Sequence, residues 1–284
     1  MNSVPDHMKK SLTIGYSTCP NDTFIFYALA HKLIDCGGIN FNTVLKDVEA
    51  LNQDARLGRY EVSKLSFSAM AYLRDSYGLL KSGAAIGKGC GPLIVTRPGF
   101  DLNKLSSSTI VVPGLWTTAC MLLGLYLAQK PQVVPMQFDH IMPAIQKGMF
   151  EAGVIIHEGR FTYPDYELVC LVDLGRWWEE KTGLPIPLGG ICVRRDLPKE
   201  TIKKIETAIR DSVSYSKEHP GQADQYIRHY AAEMSDSVIQ NHIDLYVNDF
   251  TVNLGKTGEK AIEKLFTMAW NVGMIPKGKK PLFA

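Results

Sequence analysis

The sequence predicts an α/β protein of two lobes, with the second lobe inserted into the first. From residue 12 to about residue 95, apolar runs rich in β-branched residues alternate with helical stretches, an order typical of parallel strands joined by right-handed crossovers. The same order begins again at about residue 97, and the chain is mainly helical after about residue 199. We therefore assign residues 1–95 and 190–284 to lobe I and residues 96–189 to lobe II, with a ligand cleft between the lobes.

The first strand, residues 12–16, leads into the turn-rich string STCPND at residues 17–22. A helix over residues 23–34 follows, and Asn21 or Asp22 can cap its N-terminus. Such a terminus presents free backbone N–H groups and the positive end of the helix dipole. The string therefore allows a ligand site, although an ordinary capped helix explains it equally well.

The next stretch continues the alternation of strand and helix. Residues 39–45 alternate in polarity like a strand, residues 47–57 form a short helix, and residues 61–66 form a strand that ends in polar residues. Lys64 and Ser66 lie two positions apart, so their side chains share one face of that strand.

Glycines crowd residues 83–92 without forming a dinucleotide-binding fingerprint. The third glycine of that motif would fall at Pro92, and residues 93–96, which follow, are predicted as a strand rather than a helix. These glycines favour close backbone approach or a hinge. The string GKT at residues 255–257 is not a phosphate loop either, because the required earlier glycine is Phe250.

Lobe II begins with a repeat of the same pattern. Residues 109–112 are predicted as a strand and Pro113-Gly114 as a turn, and Thr117 and Thr118 open a helix. A carboxylate or phosphate can rest at such a helix N-terminus. The pair Trp177-Trp178 is more typical of core or lid packing than of chemistry, because tryptophan buries so much area.

The remaining elements follow from apolar periodicity and turn residues. The chain returns to lobe I through a connector at residues 185–190. The other predicted elements are strands over residues 133–137, 152–156, 166–172 and 191–195, and helices over residues 67–73, 139–147, 199–217, 222–230, 237–246 and 258–272.

The stretch VIIHEGRFTY at residues 154–163 is the strongest sign of a functional site. Its β-branched residues indicate the end of a buried strand, and His157, Glu158 and Arg160 follow at once. Ligands of open α/β sheets bind just beyond the carboxyl ends of strands. Imidazole has an ordinary pKa near neutrality, so His157 suits proton abstraction. The alternative is a structural histidine at the strand end, with the two neighbouring charges in solvent.

Composition and charge limit the classes of protein to which the chain can belong. The chain of 284 residues carries a net charge of +2 with dispersed basic residues, which gives no indication of nucleic-acid binding. It has no run of about 18 apolar residues, so we expect no membrane span, and residues 1–12 lack the apolar core of an export signal. The six cysteines form no C-x-x-C pair, which excludes a zinc ribbon or a thioredoxin motif. We expect a cytoplasmic protein.

Five strings together resemble the 1,4-dihydroxy-6-naphthoate synthase family of the futalosine route to menaquinone. The strings are STCPNDTF at residues 17–24, VSKLS at 62–66, GKGCGPL at 87–93, PG with TTA within 113–119, and HEGRFTY at 157–163. The resemblance runs from about residue 12 into the C-terminal helices. It implies a fold like that of type 2 periplasmic binding proteins, with a ligand cleft between the lobes and no transport role.

The resemblance also implies a reaction, the cleavage of cyclic dehypoxanthinyl futalosine to 1,4-dihydroxy-6-naphthoate. His157 matches the residue taken as the base, and Lys64, Ser66, Thr117 and Thr118 match positions that line the ligand site. The helix start at the two threonines can hold the aryl carboxylate of the substrate, and Lys64 can stabilise a developing oxyanion. We expect no metal or redox cofactor, because no ligand cluster is visible and the reaction involves no net electron transfer.

Two other functions stay open from the sequence alone. One is chorismate dehydratase, a related enzyme of the same pathway with the same two-lobe plan. The other is a solute-binding protein for a small carboxylate, which the missing export signal disfavours. The sequence does not indicate the oligomeric state.

Overall fold

The computed structural model describes residues 10–231 and 234–284. Within these residues the framework consists of a six-stranded and a five-stranded β-sheet. The prediction that no export signal is present concerns residues 1–12, most of which lie outside the described residues. No helix in the described part of the chain is long and apolar enough to cross a membrane.

Strands and helices alternate along most of the chain. The strands are β1 (Lys10–Tyr16), β2 (Ile39–Leu45), β3 (Val62–Ser66), β4 (Tyr77–Leu79), β5 (Ala85–Gly87), β6 (Leu93–Thr96), β7 (Ile110–Val112), β8 (Val133–Pro135), β9 (Ala152–Ile155), β10 (Val169–Asp173) and β11 (Ile186–Arg194). The α-helices are α1 (Pro20–Ala30), α2 (Val48–Arg56), α3 (Phe67–Leu73), α4 (Thr118–Leu127), α5 (Phe138–Gln146), α6 (Gly159–Thr162), α7 (Leu174–Thr182), α8 (Lys199–Glu218), α9 (Asp224–Tyr230), α10 (Asp236–Tyr246), α11 (Asp249–Val252) and α12 (Gly255–Asn271).

The six-stranded sheet has the order β2-β1-β3-β11-β4, with β5 also paired to β11. β1 is parallel to both β2 and β3, which confirms the parallel pairing predicted from the strand-helix-strand order. β11 is antiparallel to β3, β4 and β5. It is the strand that brings the chain back from the other sheet.

The five-stranded sheet has the order β10-β6-β9-β7-β8. β7 is parallel to β8 and β9, whereas β6 is antiparallel to β9 and β10. The parallel strands again come from the alternating part of the chain, and their carboxyl ends therefore meet at one edge of the sheet.

The predicted lobe boundaries fall inside strands. β6 belongs to the five-stranded sheet, although residues 93–95 were assigned to lobe I, and β11 begins in the six-stranded sheet before residue 190. The predicted connector at residues 185–190 lies mostly within β11; its prolines and glycines lower its strand propensity, but pairing with β5 overrides it. We therefore propose that the chain crosses between lobes at residues 88–92 and 183–185.

Helix α1 begins earlier than predicted. Pro20 occupies its first turn, where a missing N–H costs nothing, and Cys19 is the N-cap residue. Asn21 and Asp22 therefore lie within the helix, and the prediction that one of them caps it was wrong. Their side chains are left to serve the site described below.

Apolar side chains connect the two sheets as well as covering each of them. Leu65 of β3, Val112 of β7 and Leu122 of α4 belong to one continuous buried cluster. Trp178 is fully buried in the same cluster, and its indole N–H donates to the carbonyl of Pro185 over 3.0 Å. This tryptophan is a core residue, which is one of the two roles that the sequence favoured.

Candidate active site

A cavity lies between the two sheets. β1, β3, β7 and β9 all lead toward it at their carboxyl ends, the position at which α/β sheets bind ligands. The first turns of α1 and α4 face it as well. The residues that the sequence proposed for the site all line this cavity: Lys64, Ser66, Thr117, Thr118 and His157.

Lys64 forms a buried ion pair with Asp22. The lysine Nζ lies 2.5 Å from Oδ1 of the carboxylate, and both side chains are almost fully buried. The carboxylate also accepts hydrogen bonds from the backbone N–H and the hydroxyl of Ser17 (3.0 and 2.8 Å) and from Nδ2 of Asn21 (2.8 Å). This network fixes the ammonium beside the cavity, and two of its three N–H donors remain for a ligand or other acceptors.

Ser66 is held by Asn52 of α2. The asparagine side chain accepts from the backbone N–H of Ser66 (3.0 Å) and donates to its hydroxyl (3.1 Å). The same amide lies 3.4 Å from the carbonyl of Trp116. Asn52 therefore ties the end of β3 to the loop that leads into α4.

The two threonines at the start of α4 have different partners. Thr117 is the N-cap residue: its hydroxyl accepts from the backbone N–H of Cys120 (3.2 Å) and donates to the carbonyl of Gly114 (2.8 Å). The Thr118 hydroxyl donates to the carbonyl of Leu188 in β11 (2.5 Å). Both side chains thus hold the helix start in place, and the N–H groups of its first turn, which lack intrahelical acceptors, can serve a ligand.

The loop before α4 packs closely on Glu49. The backbone N–H of Trp116 lies 3.2 Å from the carboxylate, and burial raises the pKa of Glu49. Gly114 has φ of +157°, and a Cβ at this position would lie 2.5 Å from the Glu49 carboxyl group. The turn thus requires glycine at this position.

His157 lies two residues beyond the end of β9 and has a left-handed backbone with φ of +57°. Its Nδ1 lies 3.3 Å from Sγ of Cys19, and its ring packs edge-on against Phe138 at 5.3 Å between centroids. Burial raises the pKa of the Cys19 thiol well above its ordinary value, so the group beside Nδ1 is a neutral thiol. This contact joins the end of β9 in one sheet to the start of α1 on the other.

The two charged side chains that follow His157 differ in their contacts. Arg160 donates to the carbonyl of Gly91 (3.0 Å) and to the carboxylate of Asp173 (2.5 Å). Arg160 therefore anchors the first crossing segment, residues 88–92, and its side chain does not extend into solvent as the alternative prediction had it. The Oε2 atom of Glu158 is buried and has no hydrogen-bond partner within the described residues.

A second imidazole lines the cavity from α10. The ring of His242 lies 6.3 Å from that of His157 and 4.6 Å from that of Tyr246, between centroids. It is 1% exposed. Burial, followed by electrostatic interactions with His157 and Lys64, lowers the pKa of His242 well below its ordinary value.

Comparison with known proteins identifies the family. A family model described as menaquinone biosynthesis matches residues 12–271. Curated proteins named 1,4-dihydroxy-6-naphthoate synthase from Thermus thermophilus and Streptomyces coelicolor are 48% and 41% identical to the chain. These alignments cover 96% and 94% of this chain and 99% and 95% of the relatives. The chain belongs to this menaquinone biosynthesis family.

Solved structures agree with the fold. A protein from Archaeoglobus fulgidus is 36% identical and superposes with a TM-score of 0.89 over 95% of this chain and 100% of its own. The alkanesulfonate-binding protein SsuA from Xanthomonas axonopodis pv. citri, bound to MOPS, is 13% identical with a TM-score of 0.69 over 94% of both chains. At that identity the likeness concerns the fold alone, and it confirms the expected periplasmic-binding-protein-like architecture.

In this member of the menaquinone biosynthesis family, sequence reasoning missed Asp22 as the partner of Lys64 and missed His242 altogether. Helix α10 had no recognisable motif. The available signal was the spacing of Ile239, His242 and Tyr246 at i, i+3 and i+7, which puts all three on one buried helix face.

Proposed function

We propose that this enzyme of menaquinone biosynthesis is a 1,4-dihydroxy-6-naphthoate synthase. It cleaves cyclic dehypoxanthinyl futalosine to 1,4-dihydroxy-6-naphthoate, with loss of the sugar-derived carbons. The observation that carries the proposal is the meeting of His157, Lys64 and the N-terminus of α4 in one cavity, in a chain whose relatives bear that enzyme's name.

The lining of the cavity suits an aromatic carboxylate, because small-molecule sites are mostly apolar with a few well-placed polar groups. Leu65, Pro92 and Leu188 supply apolar walls for a ring system. The backbone N–H groups at the start of α4 suit the carboxylate, because the positive end of the helix dipole lies there.

His157 is the proposed base. The Cys19 thiol occupies the Nδ1 side of its ring, so we assign the substrate proton to Nε2, with the ring hydrogen of the neutral imidazole on Nδ1 and facing the sulfur. General-base catalysis contributes about 100- to 10,000-fold. Most of the acceleration must therefore come from positioning and from stabilising charge in the transition state.

Lys64 is the proposed stabiliser of that charge. Carbon–carbon cleavage driven by aromatisation develops negative charge on an oxygen, and a fixed ammonium in a buried site stabilises it strongly. Asp22 holds the ammonium in position. Ser66, Thr117 and Thr118 are the proposed binding residues around it.

The direct test is product formation from cyclic dehypoxanthinyl futalosine, followed by liquid chromatography. We expect the purified protein to release 1,4-dihydroxy-6-naphthoate and to leave chorismate unchanged. Conversion of chorismate instead would assign the dehydratase activity, and tight binding without conversion would assign a binding protein.

The role of His157 has its own test. We expect His157→Asn to abolish turnover while the protein still folds and binds the substrate, because asparagine retains polarity but cannot accept the proton. Circular dichroism checks the fold and isothermal titration calorimetry checks binding. Turnover close to that of the parent enzyme would refute the assignment of the base.

A cytoplasmic location is part of the proposal. All six cysteines are within the described residues, and all are free thiols. Free thiols are typical of proteins in reducing compartments.

A further inference from the structure

Helix α10 supplies the cavity with a polar side chain that the proposed reaction does not yet use. His242 lies on the same helix face as Ile239 and Tyr246, and its ring is almost completely shielded from solvent. It lines the cavity together with His157 and Lys64. The position is therefore inside the proposed substrate site and not merely close to it.

Neither ring nitrogen of His242 has a hydrogen-bond partner within the described residues. The large majority of buried side-chain polar atoms in proteins have such a partner. Leaving a buried donor or acceptor unpaired is costly, so two unpaired nitrogens on one ring point to a missing partner. Because the ring borders the cavity, a bound ligand can be that partner.

The charge state of the His242 ring limits which chemical groups of a ligand can hydrogen-bond to it. Burial, together with electrostatic interactions with His157 and Lys64, lowers the pKa of His242, so its imidazole is neutral near pH 7. A neutral imidazole offers one donor and one acceptor. A hydroxyl can pair with either nitrogen and a carbonyl with the donor, whereas Lys64 and the α4 N-terminus better suit a carboxylate.

We infer that His242 is a substrate-contacting residue whose ring hydrogen-bonds a hydroxyl or carbonyl oxygen of the ligand. The inference rests on the proposed function for the identity of that ligand. His242 then binds the oxygenated end of the aromatic compound, while the start of α4 binds its carboxylate. Tyr246, at 4.6 Å between ring centroids, backs the imidazole and holds its orientation.

The test compares two ligands that differ only in their hydroxyl groups. 1,4-Dihydroxy-6-naphthoate carries two ring hydroxyls, and 2-naphthoate has the same ring and carboxylate without them. His242→Phe keeps an aromatic ring but removes both nitrogens. We expect it to weaken binding of the dihydroxy compound roughly 10- to 100-fold and to leave 2-naphthoate binding essentially unchanged, measured by anaerobic calorimetry.

Two controls separate ligand contact from a structural role. The unliganded His242→Phe variant should melt at or above the temperature of the parent protein, because it removes unpaired buried nitrogens. His140→Phe changes an exposed histidine on α5 and should leave both affinities unchanged. Equal weakening of both ligands, a lower melting temperature without ligand selectivity, or no weakening of either would overturn the inference.

The outcomes also separate this inference from the proposed function. A parent protein that binds both naphthoates but does not convert cyclic dehypoxanthinyl futalosine overturns the proposed function, and the His242→Phe comparison still decides the inference. A parent protein that binds neither naphthoate overturns the inference together with the proposed class of ligand.

Discussion

At the scale of single residues, the buried pair of Lys64 and Asp22 is the main electrostatic feature of the site. The desolvation of both charges is offset only because the carboxylate has three further hydrogen-bond donors, from Ser17 and Asn21. Such a pair contributes little to net stability, but removing one partner leaves a charge uncompensated in the protein interior. The arrangement is therefore better suited to holding an ammonium for a ligand than to stabilising the fold.

The variant Asp22→Asn tests this arrangement. We expect it to lower the free energy of unfolding by about 3–5 kcal/mol, because the Lys64 ammonium stays buried without its counter-ion. Urea denaturation measures the change. Asp236→Asn is the matched control, since it breaks an exposed ion pair with Arg228 and should have little effect.

The double variant Asp22→Asn/Lys64→Met shows whether charge is the cause. It removes the uncompensated ammonium, so most of the lost stability should return. If the double variant is as unstable as Asp22→Asn, packing around Asp22 and not charge accounts for the loss.

His157 is constrained by its backbone as well as by its contacts. A left-handed conformation is uncommon for residues other than glycine, although asparagine, aspartate and histidine adopt it more often than the rest, and it persists where surrounding structure holds it in place. Here β9 ends at Ile155, two residues before His157, and the imidazole contacts Cys19. The conformation turns the chain sharply at the strand end and keeps the imidazole beside the cavity.

At the scale of elements, the start of α7 packs tightly against the first crossing segment, residues 88–92. The start of α7 lies against the first crossing segment, where a Cβ on Gly175 would come within 1.8 Å of the Cys90 carbonyl oxygen. Arg160 fastens the same segment through the carbonyl of Gly91. The glycines of residues 83–92 were predicted to allow close backbone approach or a hinge, and a Cβ on Gly91 would lie 3.1 Å from the Cα of Gly175, in agreement with close approach.

Gly175→Ala tests this contact between α7 and the first crossing segment. The added methyl group cannot fit without moving backbone, so we expect a loss of about 1–3 kcal/mol in stability, measured by thermal or urea unfolding. Gly258→Ala on α12 is the control: its nearest neighbour is the flexible Leu254 side chain at 3.3 Å, and alanine favours helix. Equal losses of stability in the two variants would show that α7 and the first crossing segment are not tightly packed.

At the scale of the whole molecule, the two sheets share an apolar cluster, and a cavity lined by several ionisable side chains lies between them. Residues of both sheets and of the C-terminal helices meet in this cavity, so its ionisable groups are linked to folding. His242 is the clearest case. An unfolded chain protonates this imidazole as the pH falls through about 6.5, whereas the folded protein keeps it neutral.

Stability should therefore fall with acidification in part through His242. Because the unfolded state binds more protons below about pH 6.5, the free energy of unfolding decreases there by up to about 1.4 kcal/mol per pH unit from this group. Urea unfolding at pH 7.5, 6.5 and 5.5 measures the slope. His242→Phe should show a shallower slope than the parent, and the exposed His140→Phe should not; parallel curves for all three would contradict the linkage.

The order of the elements was predictable because it depends on local patterns. The predicted bounds of β2, α3 and β6 match the observed ones, since each is a compact apolar or alternating run between turn residues. The start of α1 was wrong because proline was treated as part of the turn and not as a first-turn residue. β11 was predicted too short because pairing with β5 was not visible in local sequence.

By itself, the sequence determined the alternation of strands and helices, the polar strings at strand ends and the resemblance that named the five candidate site residues. These depend on periodicity, turn chemistry and short motifs, all of which are local. The tertiary structure alone decided which side chains meet: Asp22 with Lys64, Cys19 with His157, and His242 with the cavity. Such contacts depend on how the two sheets pack around a shared apolar surface. This packing brings together residues that are far apart in the sequence, and no local sequence pattern predicts that they meet.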